Sequence, residues 1–134
     1  MMVLQASLTG VLALLMALHV AWGIGLWLPI RDEAALARAV VGAPGRNRMP
    51  GAVACSLVAV ALFAAASVLW WSDSTRRDLA LAGAAAVFLV RGLAAWLPAW
   101  RRLLPVEPFA TLDRRAYGPL CLAIGAGFLA VLLA

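Results

Sequence analysis

The sequence has few charged residues and no lysine. Charged residues make up 13% of the 134-residue chain and apolar residues 66%, with a mean hydropathy of +0.98. Soluble domains are nearer to about one quarter charged and one half apolar, so this composition excludes an ordinary soluble domain and indicates a membrane protein. All eleven basic residues are arginine, and their fixed positive charge suits the recognition of phosphate or carboxylate groups.

Several kinds of chemical group are also scarce. Acidic residues are absent from the long apolar runs, which excludes the intramembrane carboxylate expected of a proton-driven cation exporter. The single histidine, His19, cannot supply the several strong ligands of a usual haem or zinc centre, so we expect no cofactor and no metal. Cys55 and Cys121 lie in apolar runs without Cys-x-x-Cys spacing, which is typical of small buried hydrophobic residues. The G-x-S-x-G, Walker and H-E-x-x-H enzyme motifs are missing.

Four apolar runs are long enough to cross a bilayer core of about 30 Å. They cover roughly residues 4–29, 51–71, 79–100 and 118–134. We therefore predict an all-α integral membrane protein, a single domain with four transmembrane helices. The fourth run would span only about 24 Å if its helix began at Pro119. An earlier start near Asp113 would lengthen this helix but would place Pro119 in its interior.

The arginines are distributed unevenly between the connecting segments. The first and third connections carry eight arginines together, whereas the second carries two. Because arginine-rich loops stay on the cytoplasmic side, we predict that residues 31–50 and 101–117 are cytoplasmic and that both termini lie outside, in the bacterial inner membrane. Arginines placed there meet lipid phosphates, so membrane lipids are the expected partners and nucleic acid is not.

The first connection contains R-D-E-A-A-L-A-R-A-V-V, residues 31–41, which predicts a short amphipathic helix. Two placements remain open for it. The helix could lie in the membrane interface with Leu36, Val40 and Val41 towards the lipid, or it could be a plain solvated connector.

The two halves of the chain look alike. A shift of 69 residues places Trp27-Leu28-Pro29 on Trp96-Leu97-Pro98. We interpret residues 1–69 and 70–134 as two helical hairpins in direct repeat. The alternative is that Trp at membrane interfaces and Pro near helix ends recur independently.

Arg91 is the one charged residue inside an apolar run. Placing it there costs about 2.5–3.5 kcal/mol unless it faces the bundle interior, a cavity or a partner. In the register of the repeat, Trp22 is level with Arg91 and His19 lies one turn away, close enough for a cation–π contact and a shared polar pocket. We predict that His19, Trp22 and Arg91 form this pocket.

The alternatives to this pocket use the same residues. Arg91 could be a structural clamp between helices, and His19 could donate a hydrogen bond to a backbone carbonyl. Either Glu107 or Asp113 could fold back and neutralise Arg91.

The stretch E-P-F-A-T-L-D-R-R-A-Y-G-P-L-C-L covers residues 107–122. Phe109, Asp113 and Tyr117 recur in it every four residues, which aligns them on one face of a helix. This face could form a lid over the Arg91 pocket or an aromatic anchor at the level of the lipid head groups. Asp113 could also cap the fourth span or pair with a neighbouring arginine.

Together with H-V-A-W-G at residues 19–23 and V-R-G at 90–92, this stretch resembles the small four-span bacterial membrane proteins grouped as domain of unknown function 3995. The resemblance covers nearly the whole chain and is most specific over P-F-A-x-L-D-R-R-x-Y-x-P-L. It implies a four-helix membrane protein and carries over no catalytic role.

Three functions compete at this point. We favour a non-enzymatic bundle that binds a lipid-like or anionic small molecule through His19, Trp22 and Arg91, with Asp113 and Tyr117 nearby. The second is an accessory subunit of a larger membrane complex or a homo-oligomer. The third is a membrane enzyme that uses His19 as acid or base, Arg91 as an electrostatic stabiliser and Tyr117 as the second titrating group.

Overall fold

The computed structural model describes residues 1–134, which form helices and connections without a strand. The elements in chain order are α1 (Met2–Gly23), α2 (Glu33–Val40), α3 (Ala52–Val68), α4 (Thr75–Ala94), α5 (Pro98–Leu103), α6 (Phe109–Leu112), a π-helical turn (Asp113–Tyr117) and α7 (Gly118–Leu133). The prediction of an all-α fold is confirmed.

Each half of the chain forms one antiparallel helical hairpin. In the first half α1 packs along α3, and the side chain of Gln5 near the start of α1 donates to the carbonyl of Leu69 just after α3, at 2.7 Å. In the second half α4 packs along α7, and Phe88 stacks on Phe128 with ring centroids 5.9 Å apart. The first and third connections therefore lie at one end of the bundle, with eight arginines, and both termini lie at the other.

The two hairpins share a core in which close approach depends on glycine. Leu12, Leu81 and Phe128, from α1, α4 and α7, are fully buried against one another. Between α4 and α7, a Cβ added to Gly125 would lie 2.7 Å from the Cγ of Leu89. No side chain larger than hydrogen fits at that position, so the absence of a side chain is what lets the two helices approach.

The outer surface of the bundle is apolar. Large side chains are exposed on the long helices, including Leu14 on α1, Phe63 on α3 and Val87 on α4. Two helices, Met2–Gly23 and the continuous helix Phe109–Leu133, are long and apolar enough to cross a membrane. An apolar surface of this extent is typical of a protein whose surroundings are not water.

The fourth long helix begins earlier than residue 118. Elements α6, the π turn and α7 form one continuous helix of 25 residues, Phe109–Leu133, with Pro119 in its interior. Of the two alternatives, a helix that begins at Pro119 is wrong and a helix that begins earlier is correct, so its length is about 37 Å. A proline ring would clash with the carbonyl one turn before it in a regular α-helix, and the wider π turn directly preceding Pro119 accommodates this part of the chain.

The first and third runs are helical over less than the predicted lengths. Helix α1 ends at Gly23 and α4 at Ala94, so neither Trp-Leu-Pro motif lies in a long helix. Pro29 follows a non-helical segment, whereas Pro98 begins the separate helix α5. Each proline disfavours a helical conformation of the residue before it, so neither helix continues through its motif. Helix α1 ends earlier, at Gly23, and Gly25 just beyond it has a positive φ of 81°.

The predicted amphipathic helix exists as α2, but its apolar face packs on the protein. The carboxylate of Asp32 caps the helix by accepting from the backbone N–H of Ala35, at 2.8 Å. Leu36 is fully buried beside Met49, and Trp22 packs against them. The lipid-facing placement of Leu36 is therefore wrong, because other side chains of the chain cover it.

Candidate functional site

Arg91 is paired with a buried acidic residue. Its Nη2 donates to the Oδ1 of Asp113 at 2.6 Å, and the two side chains are 32% and 4% exposed. The other carboxylate oxygen, Oδ2, accepts from the indole N–H of Trp100 at 2.9 Å. The guanidinium carbon of Arg91 lies 4.9 Å from the centroid of the Trp100 ring, a cation–π distance. Each of the three side chains thus contacts the other two.

Three elements position this cluster. Arg91 lies in the last turn of α4, Trp100 in α5, and Asp113 opens the π turn. Next to Arg91, Gly92 lets α7 come close, since a Cβ there would lie 2.9 Å from the carbonyl oxygen of Gly118. A π turn contains an extra residue and so changes the direction in which side chains leave the helix, and such turns are frequent at functional sites.

The cluster is electrically balanced. Asp113 neutralises the guanidinium, so the pair joins α4 to the helix that includes α7 without leaving an isolated charge in the bundle. One guanidinium nitrogen of Arg91, Nη1, is buried and has no hydrogen-bond partner. This arrangement is the neutralised clamp between helices, and Arg91 offers no isolated positive charge to an anion.

His19 and Trp22 lie in a different place, on α1. The Nδ1 of His19 is 2.8 Å from the carbonyl oxygen of Leu15, so this nitrogen carries the proton and donates it. The rings of His19 and Trp22 are tilted against each other with centroids 4.9 Å apart. The indole N–H of Trp22 donates to the carbonyl of Leu28 at 2.8 Å. Nε2 remains the one ring nitrogen of the pair without a hydrogen-bond partner.

These two rings line a small cavity between α1, α2 and α3. Its volume is about 140 Å³. The other lining side chains carry no strong hydrogen-bonding group; they are Val40, Val41, Met49, Pro50, Ala54, Cys55 and Val58. A cavity of this size accommodates about one six-membered ring.

The structure does not bring the three predicted pocket residues together. Arg91 is not among the residues that line the His19 cavity, and its aromatic partner is Trp100 rather than Trp22. The reason is the pairing of helices: α4 packs on α7, whereas α1 packs on α3. The sequence analysis did not select Trp100. The signal that could have found it is an indole N–H near an apolar run, which needs an acceptor, with Glu107 and Asp113 as the two carboxylates in the connection that follows.

Tyr117 and Phe109 connect the third connection to α2. The hydroxyl of Tyr117 donates to the carbonyl of Ala39 at 2.9 Å, and its ring lies 5.9 Å from that of Phe109. Phe109 is only 3% exposed and packs where Gly42 has no side chain, so its ring contacts the protein interior and is not an anchor exposed to lipid head groups. The hydroxyl of Tyr117 bonds to Ala39 and the ring of His19 to Leu15, and no hydrogen bond joins the two side chains as the enzyme hypothesis requires.

Comparison with known proteins gives one match. Residues 12–128 match the family described as protein of unknown function (DUF3995). The chain belongs to this family. The resemblance inferred from the sequence is confirmed, and the matched DUF3995 segment includes both the Arg91 cluster and the His19 cavity. Searches of curated proteins and of solved structures gave no significant match. No group of three or more His, Cys, Asp or Glu side chains could hold a metal ion.

Proposed function

We propose that this DUF3995 protein is a four-span, non-enzymatic protein of the bacterial inner membrane that binds a lipid-like molecule in the cavity beside His19 and Trp22. The observation that carries the proposal is the cavity itself, which is lined by apolar side chains together with the rings of His19 and Trp22. The Nε2 of His19 has no hydrogen-bond partner within the protein, whereas the indole N–H of Trp22 already donates to Leu28. A suitable ligand is an apolar molecule with one ring or chain end that carries a hydroxyl or N–H donor.

The four-span arrangement is supported by the outward faces of α3 and α4. Helix α3 has 17 residues, and Val53, Leu57 and Phe63 on it are exposed. Helix α4 has three charged residues in its first turns, at the end of the bundle, and one further in, Arg91, which Asp113 neutralises. The part of α4 that would lie in the bilayer therefore carries no uncompensated charge, which lowers the cost of insertion.

The orientation is supported by the arginines at the two ends of the bundle. The end that contains the first and third connections has eight arginines and the opposite end has two. Positive residues in short loops favour the cytoplasmic side, so this end is cytoplasmic and both termini are outside. The His19 cavity then lies near the cytoplasmic surface, because Pro50 and α2 form part of its wall.

The binding proposal can be tested with two probes of similar shape. In detergent solution, ¹⁹F NMR would measure binding of 4-fluorophenol, which donates a hydrogen bond, and 4-fluorotoluene, which does not, with empty micelles as the background. We expect 4-fluorophenol to bind about fivefold more tightly, the effect of one hydrogen bond of about 1 kcal/mol. His19→Phe should abolish this preference.

A blocking variant and its control separate the cavity from general effects. Ala54→Phe should fill the cavity and prevent binding of both probes. Ala61→Phe places the same ring on the same exposed side of α3, two turns away and outside the cavity, and should leave binding unchanged. Equal binding by both variants, or a phenol preference that persists in His19→Phe, would rule out the proposed site.

A further inference from the structure

A second, larger pocket lies at the arginine-rich end of the bundle. Its volume is about 450 Å³, and it is formed by α5, α6 and the segments beside them. Arg101, Arg102 and Arg114 contribute its positive charges and Glu107 its one negative charge. None of these residues lines the His19 cavity, so this pocket is separate from the proposed binding site, and only its place at the cytoplasmic membrane surface rests on the proposed function.

The positive charges of the pocket have no acidic partner. The structure contains two ion pairs, Arg77 with Asp73 and Arg91 with Asp113, and neither involves a pocket arginine. Arg101 and Arg102 are exposed.

Arg114 and Glu107 also make hydrogen bonds within their own segment of the chain. The Nε of Arg114 donates to the carbonyl of Ala110 at 3.0 Å, which leaves both terminal nitrogens for a ligand. The carboxylate of Glu107 accepts from the backbone N–H and the hydroxyl of Thr111, at 3.1 Å and 2.9 Å. The three arginines outnumber the single carboxylate of Glu107, so the net charge of the pocket is positive.

We propose that this pocket binds a phosphate group, carried either by an anionic phospholipid or by a small soluble phosphate ester. One arginine satisfies both oxygens of a carboxylate, whereas three guanidinium groups match the larger number of phosphate oxygens. Pro98 and Pro105 in the wall restrict the backbone on either side of α5, so the site needs little ordering on binding. Basic pockets at the cytoplasmic surface of a membrane protein are well placed for lipid phosphates.

The test compares two double variants with the same change of charge. Arg101→Gln/Arg102→Gln removes two pocket arginines, and Arg46→Gln/Arg48→Gln removes two exposed arginines from the same end of the bundle but outside the pocket. Native mass spectrometry in a neutral detergent, at one fixed ionic strength, would measure binding of phosphatidylglycerol, phosphatidylcholine and soluble glycerol phosphate.

We expect phosphatidylglycerol to bind the wild type and Arg46→Gln/Arg48→Gln equally. Binding to Arg101→Gln/Arg102→Gln should be at least about tenfold weaker, because charge-assisted hydrogen bonds to the phosphate are lost. Phosphatidylcholine should show no such difference. Binding of glycerol phosphate with the same dependence on the pocket arginines would identify a soluble ligand, and its absence would identify the lipid head group.

Two results would overturn the phosphate site. The first is an equal loss of binding in both double variants, which would mean that only the overall positive charge matters. The second is unchanged binding of phosphatidylglycerol and glycerol phosphate to Arg101→Gln/Arg102→Gln. Circular dichroism would check the fold of each variant. If Arg101→Gln/Arg102→Gln unfolds, the single variants Arg101→Gln and Arg102→Gln would replace it, and each would have to bind the phosphate ligand more weakly than Arg46→Gln.

Discussion

Removing one member of the Arg91–Asp113 pair should destabilise the bundle more than removing both. Arg91→Met leaves a carboxylate that is 4% exposed without its counter-charge. Breaking a buried ion pair from one side typically costs about 3–5 kcal/mol. Asp113→Asn leaves the guanidinium unpaired, but that side chain is 32% exposed, so we expect a smaller loss of about 1–3 kcal/mol.

The double variant Arg91→Met/Asp113→Asn distinguishes a charge pair from two independent packing contacts. It removes both charges, keeps an oxygen able to accept from Trp100, and replaces the guanidinium with an apolar chain. Exchanging a buried ion pair for uncharged groups is often close to neutral. We expect the double variant to be more stable than either single variant. If its own loss is near zero, the coupling energy equals the sum of the two single losses, about 4 kcal/mol or more.

Equilibrium unfolding in mixed micelles, followed by the far-ultraviolet circular dichroism of the helices, would measure these free energies. Tryptophan fluorescence is a poor probe here because Trp100 is part of the cluster. The control is Asp78→Asn, the same substitution at an exposed residue of α4 that belongs to neither ion pair. This control should change the free energy of unfolding by less than about 1 kcal/mol, because an exposed charge in the first turn of a helix contributes little.

The reasoning would be refuted by either of two results. In one, Arg91→Met and Asp113→Asn each change the free energy of unfolding by less than about 0.5 kcal/mol, the range of ordinary surface substitutions. In the other, their losses add in the double variant, which would show that the two side chains stabilise the protein independently.

Two further predictions concern helix packing and the attachment of α2. Gly92→Ala should cost about 1–3 kcal/mol, because the added Cβ would lie 2.7 Å from the Cγ of Leu122. The control is Gly83→Ala on the same helix, where an added Cβ has no atom within 4 Å, so this variant should be more stable than the wild type by up to about 1 kcal/mol. Equal effects of the two substitutions in the same unfolding assay would contradict the close helix contact at Gly92. Tyr117→Phe removes the donor to the Ala39 carbonyl and should cost about 1 kcal/mol. Faster hydrogen exchange in α2 should accompany it, and unchanged exchange would show that the hydroxyl does not hold this helix.

The sequence predicted those features that depend on composition and on short-range pattern. The apolar content predicted an all-helical protein, and the amphipathic run in the first connection predicted α2. The motif from residue 107 to residue 122 predicted the family. These features follow from the residues themselves or from contacts a few positions apart, so no knowledge of helix pairing is needed.

The partners of the site residues depended on tertiary structure. Arg91 was expected beside Trp22 because the two occupy matching positions in the repeat, yet α1 and α4 belong to different hairpins. Its actual partner, Asp113, lies 22 residues further on and was one of the two acidic residues that the sequence offered. The choice of Asp113 over Glu107 depended on a π turn that no sequence pattern predicted.

The sequence by itself determined that this chain is an apolar helical protein with one arginine inside an apolar run and a histidine beside a tryptophan. Only the tertiary structure decided that these side chains belong to two separate sites, a neutralised clamp around Arg91 and an apolar cavity beside His19. The physical reason is that a charge in an apolar run is costly, so the sequence alone shows that Arg91 needs a partner. Which partner it has depends on which helices pack together and on where a helical turn widens.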